Sequence, residues 1–299
     1  MASHSERILL TGSGGFTGRP LAARLRQDGH EVFGITKGPP TNHEAQGDLL
    51  NGDWVDRTVA EVNPTVIIHL AAISPTQQTD RDAYAVNIQG TANLLSAAAA
   101  LREPPTRVIV ASSAAVYAPP KEGQPIAEDH PLGPRGPYAE SKRAMEDVAS
   151  TFADRLRILV TRPFNYTGPG QDPANFIVPK VVDHFVRRAP RITVGNLDLF
   201  RDFSDIRRVV EVYARLVSRP LDNPIINICS GRTIHLALLV KLLEEVSGHS
   251  IEVITDPALI RPAEPRTILG SVKRLESMLG DLPNPDFENT LRCMYESRQ

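Results

Sequence analysis

The amino-acid sequence predicts an α/β fold in which a doubly wound parallel sheet is followed by a smaller C-terminal α/β domain. Short apolar segments alternate with helical segments over the first half of the chain, which is typical of a parallel sheet covered by helices on both faces. Beyond Gly170 the pattern becomes less regular, as expected of a second domain. We predict a first domain over residues 1–165, to which residues 202–230 return, and a second domain over residues 166–201 and 231–299.

A glycine-rich turn joins the first strand, predicted at residues 7–10, to the first helix, predicted at residues 18–28. Such a turn places a helix N-terminus where its N–H groups can bind the pyrophosphate of a dinucleotide. In the spacing G-x-x-G-x-x-G, the first glycine permits the tight turn, the second lets the backbone approach the phosphates, and the third allows close helix–strand packing. The predicted cofactor residues of this turn are Gly12, Gly15, Phe16, Thr17 and Gly18.

The end of the second strand, predicted at residues 31–36, bears on the choice of cofactor. NAD-selective sites usually carry an acid there for the ribose 2′-hydroxyl, whereas this strand is followed by Lys37. A lysine can pair with a 2′-phosphate, so the sequence favours NADP(H), with NAD(H) as the alternative. Asp48 is a candidate for binding the adenine amino group, and Leu49 lies beside it.

The third strand, predicted at residues 65–70, ends in small residues. It runs through Leu70 into Ala71, Ala72 and Ser74, and this segment lets a cofactor lie across the strand ends. In open α/β sheets, ligands bind at the carboxyl edge of the strands. We therefore expect these residues to border the binding site.

The strand predicted at residues 107–111 delivers Ser112 and Ser113 to the same edge of the sheet. A long helix precedes it at residues 82–101. Further helices are predicted at residues 138–152, 175–188 and 236–247, and further strands at residues 157–161, 191–195, 225–228 and 251–254, of which residues 225–228 return to the main sheet.

Tyr138 and Lys142 lie four residues apart at the start of the helix predicted at residues 138–152. This spacing puts both side chains on one face of a helix, one turn apart. An ammonium group beside a phenol favours the phenolate and lowers the tyrosine pKa, so the tyrosine can exchange a proton at working pH. Tyr138 is therefore a candidate general acid or base.

Composition and charge exclude several classes of function. The formal net charge is −2, so no polyanion-binding surface is indicated and no nucleic-acid partner is expected. No apolar run is long enough to span a bilayer, and the N-terminal residues do not form a signal peptide, so we expect a cytoplasmic protein with no membrane partner. Cys229 and Cys293 lack metal-ligand spacing, so no metal is expected, and two reduced thiols are favoured over one disulfide.

Together these motifs resemble the extended short-chain dehydrogenases/reductases that act on nucleotide sugars and bind the dinucleotide on a Rossmann sheet. The resemblance covers nearly the whole chain and rests on the glycine turn, Ala71-Ala72, Ser113, Tyr138-x-x-x-Lys142, and the residues Arg-Pro-Phe-Asn-Tyr-Thr-Gly-Pro-Gly at 162–170. It implies that Tyr138 is the catalytic acid/base and that Lys142 holds the nicotinamide ribose and lowers the tyrosine pKa. Ser113 would hydrogen-bond the same substrate oxygen, because alternation along the strand turns Ser112 to the other face.

The resemblance also implies contacts with the cofactor and a nucleotide-diphosphate sugar. Pro163 and Asn165 would lie near the nicotinamide and the sugar diphosphate. Arg201 and Arg261 would meet phosphate oxygens with their planar guanidinium groups, and Glu264 stands where the family usually has aspartate. The predicted substrate-binding residues are Ser74, Ser113, Asn165, Lys180, Arg201, Arg261 and Glu264.

Several reactions are open to this family. Dehydratases carry an acidic pair after the catalytic hydroxyl residue, whereas Ala114 and Ala115 stand here, so dehydration is not expected. The stretches at residues 162–171, 195–203, 227–232 and 256–265 are most similar to GDP-6-deoxy-D-mannose (4-keto) reductases. This similarity implies NAD(P)H-dependent reduction of the C4 ketone of a nucleotide 4-keto-6-deoxyhexose. A sugar 4-epimerase with tightly bound NAD is the alternative, and a cofactor-binding sensor without catalysis is a third hypothesis. The family also implies a homodimer joined through the helices at residues 82–101 and 138–152.

Overall fold

The computed structural model describes residues 5–73, 80–219, 225–260 and 262–299. The chain forms two compact units. The first comprises Met1–Ala118, Pro131–Pro163 and Val210–Ile226, and the second comprises Pro119–His130, Phe164–Val209 and Asn227–Gln299.

Up to β6, strands alternate with helical segments, except that β3 follows β2 without a helix between them. In chain order the elements are β1 (Arg7–Thr11), α1 (Gly18–Gln27), β2 (Glu31–Thr36), β3 (Glu44–Gln46), α2 (Gly52–Val62), β4 (Val66–His69), α3 (Asp80–Tyr84), a π-helical segment (Ala85–Gly90), α4 (Thr91–Ala100), β5 (Arg107–Ala111), α5 (Pro137–Ser150) and β6 (Ile158–Pro163). Asparagine residues delimit α2: Asn51 Oδ1 accepts a hydrogen bond from the Trp54 N–H, and Asn63 ends the helix in the left-handed conformation.

These strands belong to a seven-stranded sheet in the order β10-β6-β5-β4-β1-β2-β3, in which β10 is Ile225–Ile228. From β3 to β6 each strand pairs in parallel with its neighbour, and Thr11 is in register with His69 across the β1–β4 pair. The chain winds outward from β1 through β2 to β3, and then in the opposite direction from β4. The prediction of a doubly wound parallel sheet is confirmed, and the switch point lies between β1 and β4, where open α/β sheets bind ligands.

Apolar side chains cover both faces of the sheet. On one face a buried cluster includes Leu9 of β1, Ile67 of β4 and Leu94 of α4. Strand alternation directs Ile8 and Leu10 to the opposite face, where α1 packs against β1. A parallel sheet with helices on both faces hides its strands completely, which explains their nearly continuous apolar sequences.

The remaining elements lie in the second half of the chain. They are β7 (Asn165–Thr167), α6 (Ile177–Val186), β8 (Arg191–Val194), β9 (Phe200–Asp205), α7 (Ile206–Val217), β11 (Thr233–His235), α8 (Leu236–Ser247), β12 (Glu252–Thr255), β13 (Thr267–Ile268), α9 (Lys273–Leu279) and α10 (Phe287–Glu296). β9 pairs with β7, β11 and β13, and β12 pairs with β8. The apolar core of the second unit includes Val182 and Phe185 of α6, Leu243 of α8 and Met294 of α10.

One sequence prediction about secondary structure is wrong, and several elements, β3 among them, were not predicted. The helix predicted at residues 82–101 is not a uniform α-helix, because the segment Ala85–Gly90 is π-helical. Within it the Asn87 carbonyl accepts a hydrogen bond from the Thr91 hydroxyl, and Asn87 Oδ1 accepts one from the Ile73 N–H. Strand β3 was not predicted, because this short strand is polar and lies at the sheet edge, where no alternation of apolar residues is required.

Across the described ranges, no helix combines the length and the apolar character that a bilayer crossing requires. The two cysteines are not bonded to each other: Cys229 is buried and Cys293 is half-buried.

Candidate active site

The glycine turn between β1 and α1 has no room for side chains at two of its positions. Gly12 has a φ of +73°, and a Cβ there would lie 2.9 Å from the Ala71 backbone nitrogen. A Cβ at Gly18 would lie 2.1 Å from the Gly12 carbonyl oxygen. The Gly15 N–H donates to the same carbonyl at 3.0 Å, which closes the turn. The turn therefore depends on glycine for its shape, as the sequence predicts.

This turn fits the pyrophosphate of a dinucleotide. It follows β1 at the switch point of the sheet, and it leads into the N-terminus of α1, whose first turn contains no acidic residue. The N-terminal end of a helix attracts anions, and here no carboxylate competes for it. Gly15 is exposed and Phe16 is half-buried, so the turn presents its backbone at the surface of the unit, and Thr17 is buried. Ala71 and Ala72 are half-buried after β4.

Lys37 and Asp48, two charged residues of the predicted cofactor site, form an ion pair. The Lys37 ammonium lies 3.6 Å from Asp48 Oδ2, and the side chains are 62% and 44% exposed. Exposed pairs of this kind contribute about 0–1 kcal/mol, so a phosphate dianion can compete for the lysine. The Asp48 carboxylate also accepts the Leu50 N–H at 3.0 Å, while Leu49 is buried.

Ser113 stands where β5 gives way to a short 3₁₀ turn, Ala114–Val116. Its Oγ accepts the Ala115 N–H at 3.1 Å. A hydroxyl used in this way still has its hydrogen to donate to a substrate oxygen. Ser113 is half-buried, whereas Ser112 is buried, so the two serines differ in access as strand alternation predicts.

Tyr138 and Lys142 both lie in the first half of α5. Tyr138 is half-buried. Lys142 is buried, and its ammonium donates to the Ala111 carbonyl at 2.7 Å, which fixes it against the end of β5, two residues before Ser113. Burial lowers the pKa of Lys142 to about 8, against the opposing effect of the Glu146 carboxylate. The structure thus brings Lys142 to the strand end that carries Ser113.

A buried ion pair next to these residues was not predicted. Arg162, at the end of β6, donates from Nε and Nη2 to the two carboxylate oxygens of Glu146 at 2.9 and 2.7 Å. The Arg162 guanidinium also lies over the Tyr117 ring, 4.8 Å from its centroid. The only sequence signal was the charge of Arg162 directly after an apolar strand, together with the spacing of four residues between Lys142 and Glu146.

A buried histidine at the switch point was also missed. His69 Nδ1 lies 2.7 Å from Thr11 Oγ1, and Nε2 lies 2.9 Å from Thr91 Oγ1. Because Thr91 gives its single hydroxyl hydrogen to the Asn87 carbonyl, His69 must carry its proton on Nε2 and accept at Nδ1. Burial lowers the pKa of His69 to about 3, so the ring is neutral. Thr11 Oγ1 in turn accepts the Ala71 N–H at 3.2 Å.

The same set of hydrogen bonds continues to α5. Asn87 Oδ1 accepts the Ile73 N–H at 3.0 Å, and Asn87 Nδ2 donates to Ser141 Oγ at 2.9 Å. Ser141 Oγ donates to the Tyr138 carbonyl at 2.8 Å. The ends of β1 and β4, which border the predicted cofactor site, are therefore linked to the backbone of Tyr138 through buried hydrogen bonds.

The predicted substrate residues in the second unit are placed as follows. Arg201 is buried, and its Nη2 contacts Glu264 Oε1 at 2.8 Å, so two of the predicted residues meet. Asn165 is exposed and donates to the Asp202 carbonyl at 3.3 Å. The Lys180 ammonium donates to the Thr193 carbonyl at 2.9 Å.

The remaining predicted contact residues are Pro163, Ser74 and Arg261. Pro163 is the half-buried last residue of β6, in the first unit. Ser74 and Arg261 lie outside the described residues.

Comparison with known proteins identifies the family of this chain. Residues 8–229 match the model of the NAD dependent epimerase/dehydratase family. The chain is 32% identical to GDP-6-deoxy-D-mannose reductase of Pseudomonas aeruginosa over 98% of both chains. It is 33% identical to GDP-6-deoxy-D-talose 4-dehydrogenase of Aggregatibacter actinomycetemcomitans, again over 98% of both chains.

The fold is likewise shared with a solved structure that contains a nicotinamide cofactor. The structure of RMD from Pseudomonas aeruginosa, complexed with NADPH, superposes with a TM-score of 0.87 at 32% identity, covering 98% of this chain and 99% of that one. The predicted Rossmann fold and the predicted family are confirmed. The chain therefore belongs to the NAD dependent epimerase/dehydratase family and is an NAD(P)-dependent oxidoreductase.

Proposed function

We propose that this protein reduces the C4 ketone of a GDP-activated 4-keto-6-deoxyhexose with NAD(P)H. The observation that carries the proposal is its similarity, over 98% of the chain, to two enzymes whose names place them at GDP-6-deoxyhexoses. Talose and mannose differ in configuration at C4. The two relatives therefore point to one reacting carbon while leaving the configuration of the product to be measured.

The residues of the first unit supply the groups that this reaction needs. The nicotinamide, when bound, supplies the hydride to C4. The Tyr138 phenol gives its proton to the oxygen that becomes the C4 hydroxyl, while the Ser113 O–H donates to the same oxygen and stabilises its developing charge. The positive charge of Lys142 lowers the pKa of the phenol and holds the cofactor ribose.

The absence of an acid after Ser113 supports reduction over elimination of water. Ala114 and Ala115 occupy the turn that follows Ser113, and neither side chain can exchange a proton. Tyr138 then protonates the C4 oxygen, and ketone reduction requires no other proton transfer.

The cofactor preference that we propose is NADP(H). Lys37 is well exposed beside the end of β2, and its exposed ion pair with Asp48 is weak enough to yield to a 2′-phosphate. The glycine turn, Leu70 and the two alanines after it, and Pro163 complete the proposed cofactor site. Asp48 and Leu49 would face the adenine.

In the second unit we propose that Arg201 binds the diphosphate of the substrate. Its guanidinium is held by Glu264 and by the backbone carbonyls of Phe200 and Arg266, at 2.8 and 3.0 Å. A preformed guanidinium loses little side-chain entropy when it binds phosphate oxygens. We propose Ser74, Asn165, Lys180 and Arg261 as further substrate contacts.

The test is to incubate the protein with NADPH and GDP-4-keto-6-deoxymannose. The expected result is loss of the reduced-nicotinamide absorbance, equimolar with the ketone consumed, and a GDP-6-deoxyhexose product. NADH in place of NADPH tests the cofactor preference, and the product's C4 configuration is read from its proton NMR coupling constants.

The competing function is a nucleotide-sugar 4-epimerase, which the family description favours. An epimerase would convert GDP-mannose or UDP-glucose to its C4 epimer with no net change in cofactor, and that result would overturn the reductase proposal. Native mass spectrometry reports the oligomer and any retained nucleotide, and we expect a homodimer.

A further inference from the structure

We propose that Glu146 and Arg162 are positioning residues that hold α5, and with it Lys142, against the turn after Ser113, and that the Glu146 carboxylate favours the charged form of Lys142. This inference deepens the proposed function, because it assumes that Lys142 acts on Tyr138. The argument rests on the geometry of the ion pair, on the elements that it joins, and on the charges that surround Lys142.

The ion pair is buried and bidentate. The Arg162 and Glu146 side chains are 2% and 4% exposed, and two parallel N–H···O bonds join them. Burying two charges costs about as much as their attraction returns, and apolar residues of the same shape are often equally stabilising. Stability alone therefore gives little reason for an ion pair at this position, and its neighbours suggest a role in the active site.

The pair joins α5, which carries Tyr138 and Lys142, to β6. Glu146 lies on α5 one turn after Lys142, so the two side chains share a face of the helix. The Arg162 guanidinium lies over the ring of Tyr117, the residue that ends the 3₁₀ turn after Ser113. Arg162 thus fixes α5 relative to the Ser113 turn, and a planar, two-pronged contact constrains both distance and rotation.

The charge of Glu146 matters because Lys142 is buried. Burial alone favours neutral lysine, and the Glu146 carboxylate is the group that opposes it. On α5 itself, Tyr138 lies one turn before Lys142, and Arg143 follows Lys142 directly, with its Nη1 3.7 Å from the Glu146 carboxylate.

Groups on other elements complete the surroundings of Lys142. His69 of β4 is neutral, because burial lowers its pKa to about 3. Arg162 of β6 is paired with Glu146, and its guanidinium lies over the ring of Tyr117 after β5. The Glu146 carboxylate therefore stabilises the charged form of Lys142, and the positive charge of Arg162 weakens this stabilisation.

This arrangement makes the two halves of one ion pair act on Lys142 with opposite sign. Glu146→Gln removes the anion and leaves the Arg162 cation, so the pKa of Lys142 is expected to fall by about one unit. Arg162→Met removes the cation that is paired with Glu146, so the unpaired carboxylate acts more strongly on Lys142 and the pKa of Lys142 is expected to rise by a similar amount. A contact with only a structural role would affect both variants in the same way.

The measurement is an NMR titration of the Lys142 side-chain carbon next to the ammonium, in the holoenzyme with NADPH and without sugar substrate. The resonance is assigned by its loss in Lys142→Met. The matched control is Asp147→Asn, which removes the same charge one residue along α5 from a side chain that is 59% exposed and pairs with Arg143. The control is expected to leave the Lys142 titration unchanged.

Arg162→Lys provides a second variant that keeps the positive charge but loses the planar two-pronged contact. It is expected to titrate Lys142 near the parental pKa while kcat for the ketone falls about tenfold or more through lost positioning. Shifts of the same sign in Glu146→Gln and Arg162→Met, or an equal shift in Asp147→Asn, would overturn the proposal. Because the titration needs no sugar substrate, its outcome is separate from that of the proposed reaction.

Discussion

Replacing Gly18 by alanine should damage the cofactor site through backbone that has no room to move. The new Cβ would lie 2.1 Å from the Gly12 carbonyl oxygen and 2.7 Å from Ser13 Cα, whereas ordinary contact begins at 3.4 Å, so the overlaps are about 1.3 and 0.7 Å. Both atoms belong to the turn itself. The turn must therefore open, and the N-terminus of α1 must shift with it.

The magnitude follows from the size of the overlap. Overpacking of a rigid site costs about 1–3 kcal/mol, and the overlap with two backbone atoms places Gly18→Ala toward the upper end of that range. A shifted helix N-terminus also loses its alignment with the pyrophosphate, a contribution of up to about 2 kcal/mol in partly buried sites. We expect the NADPH dissociation constant to rise at least about tenfold, the equivalent of about 1.4 kcal/mol.

The assay is a fluorescence titration with NADPH, together with urea unfolding. Gly29→Ala is the matched control, since Gly29 lies just past the other end of α1 and its Cβ would meet no atom within 4 Å. Its φ of +89° makes this control slightly destabilising, but NADPH affinity should be unchanged. Parental NADPH affinity and parental stability in Gly18→Ala would refute the reasoning.

Three further predictions follow from the site. Tyr138→Phe should lower kcat for ketone reduction by about 10²–10⁴-fold and change NADPH affinity by less than about tenfold, as measured by steady-state kinetics and NADPH titration; retained activity would contradict the catalytic role of the phenol. Lys37→Glu should raise the KM for NADPH about tenfold and leave that for NADH nearly unchanged, and equal effects on both would contradict a 2′-phosphate contact. His69 is neutral in the folded protein to about pH 3 but binds a proton near pH 6.5 when unfolded, so the unfolded state binds more protons between these values. The free energy of unfolding should therefore fall as pH drops through that window, by up to about 1.4 kcal/mol per pH unit, and His69→Gln should reduce this slope in urea unfolding.

Features encoded locally could be predicted from the sequence. The strands at residues 31–36 and 107–111 and the helix at residues 236–247 have their predicted bounds, because burial on both faces or on one helix face leaves a clear apolar pattern. The glycine turn was equally predictable, since the steric demand at Gly12 and Gly18 arises within a few residues and across one strand pair.

Features that depend on distant partners could not be predicted. Glu146 and Arg162 are sixteen residues apart and meet only because α5 packs beside the end of β6. His69 lies inside an apolar strand, and its role follows from hydroxyl groups on two other elements, Thr11 and Thr91. A polar edge strand such as β3 has no periodic pattern to reveal it.

Transfer of label from the cofactor tests the proposed reaction most directly. The protein is incubated with GDP-4-keto-6-deoxymannose and NADPH that carries deuterium in the transferred position of the nicotinamide, and the product is examined by NMR and mass spectrometry. Reduction with Tyr138 as proton donor places one deuterium at C4 and an exchangeable proton on the C4 oxygen. An unreduced ketone, together with C4 epimerisation of a nucleotide hexose without deuterium incorporation, would contradict the proposed function.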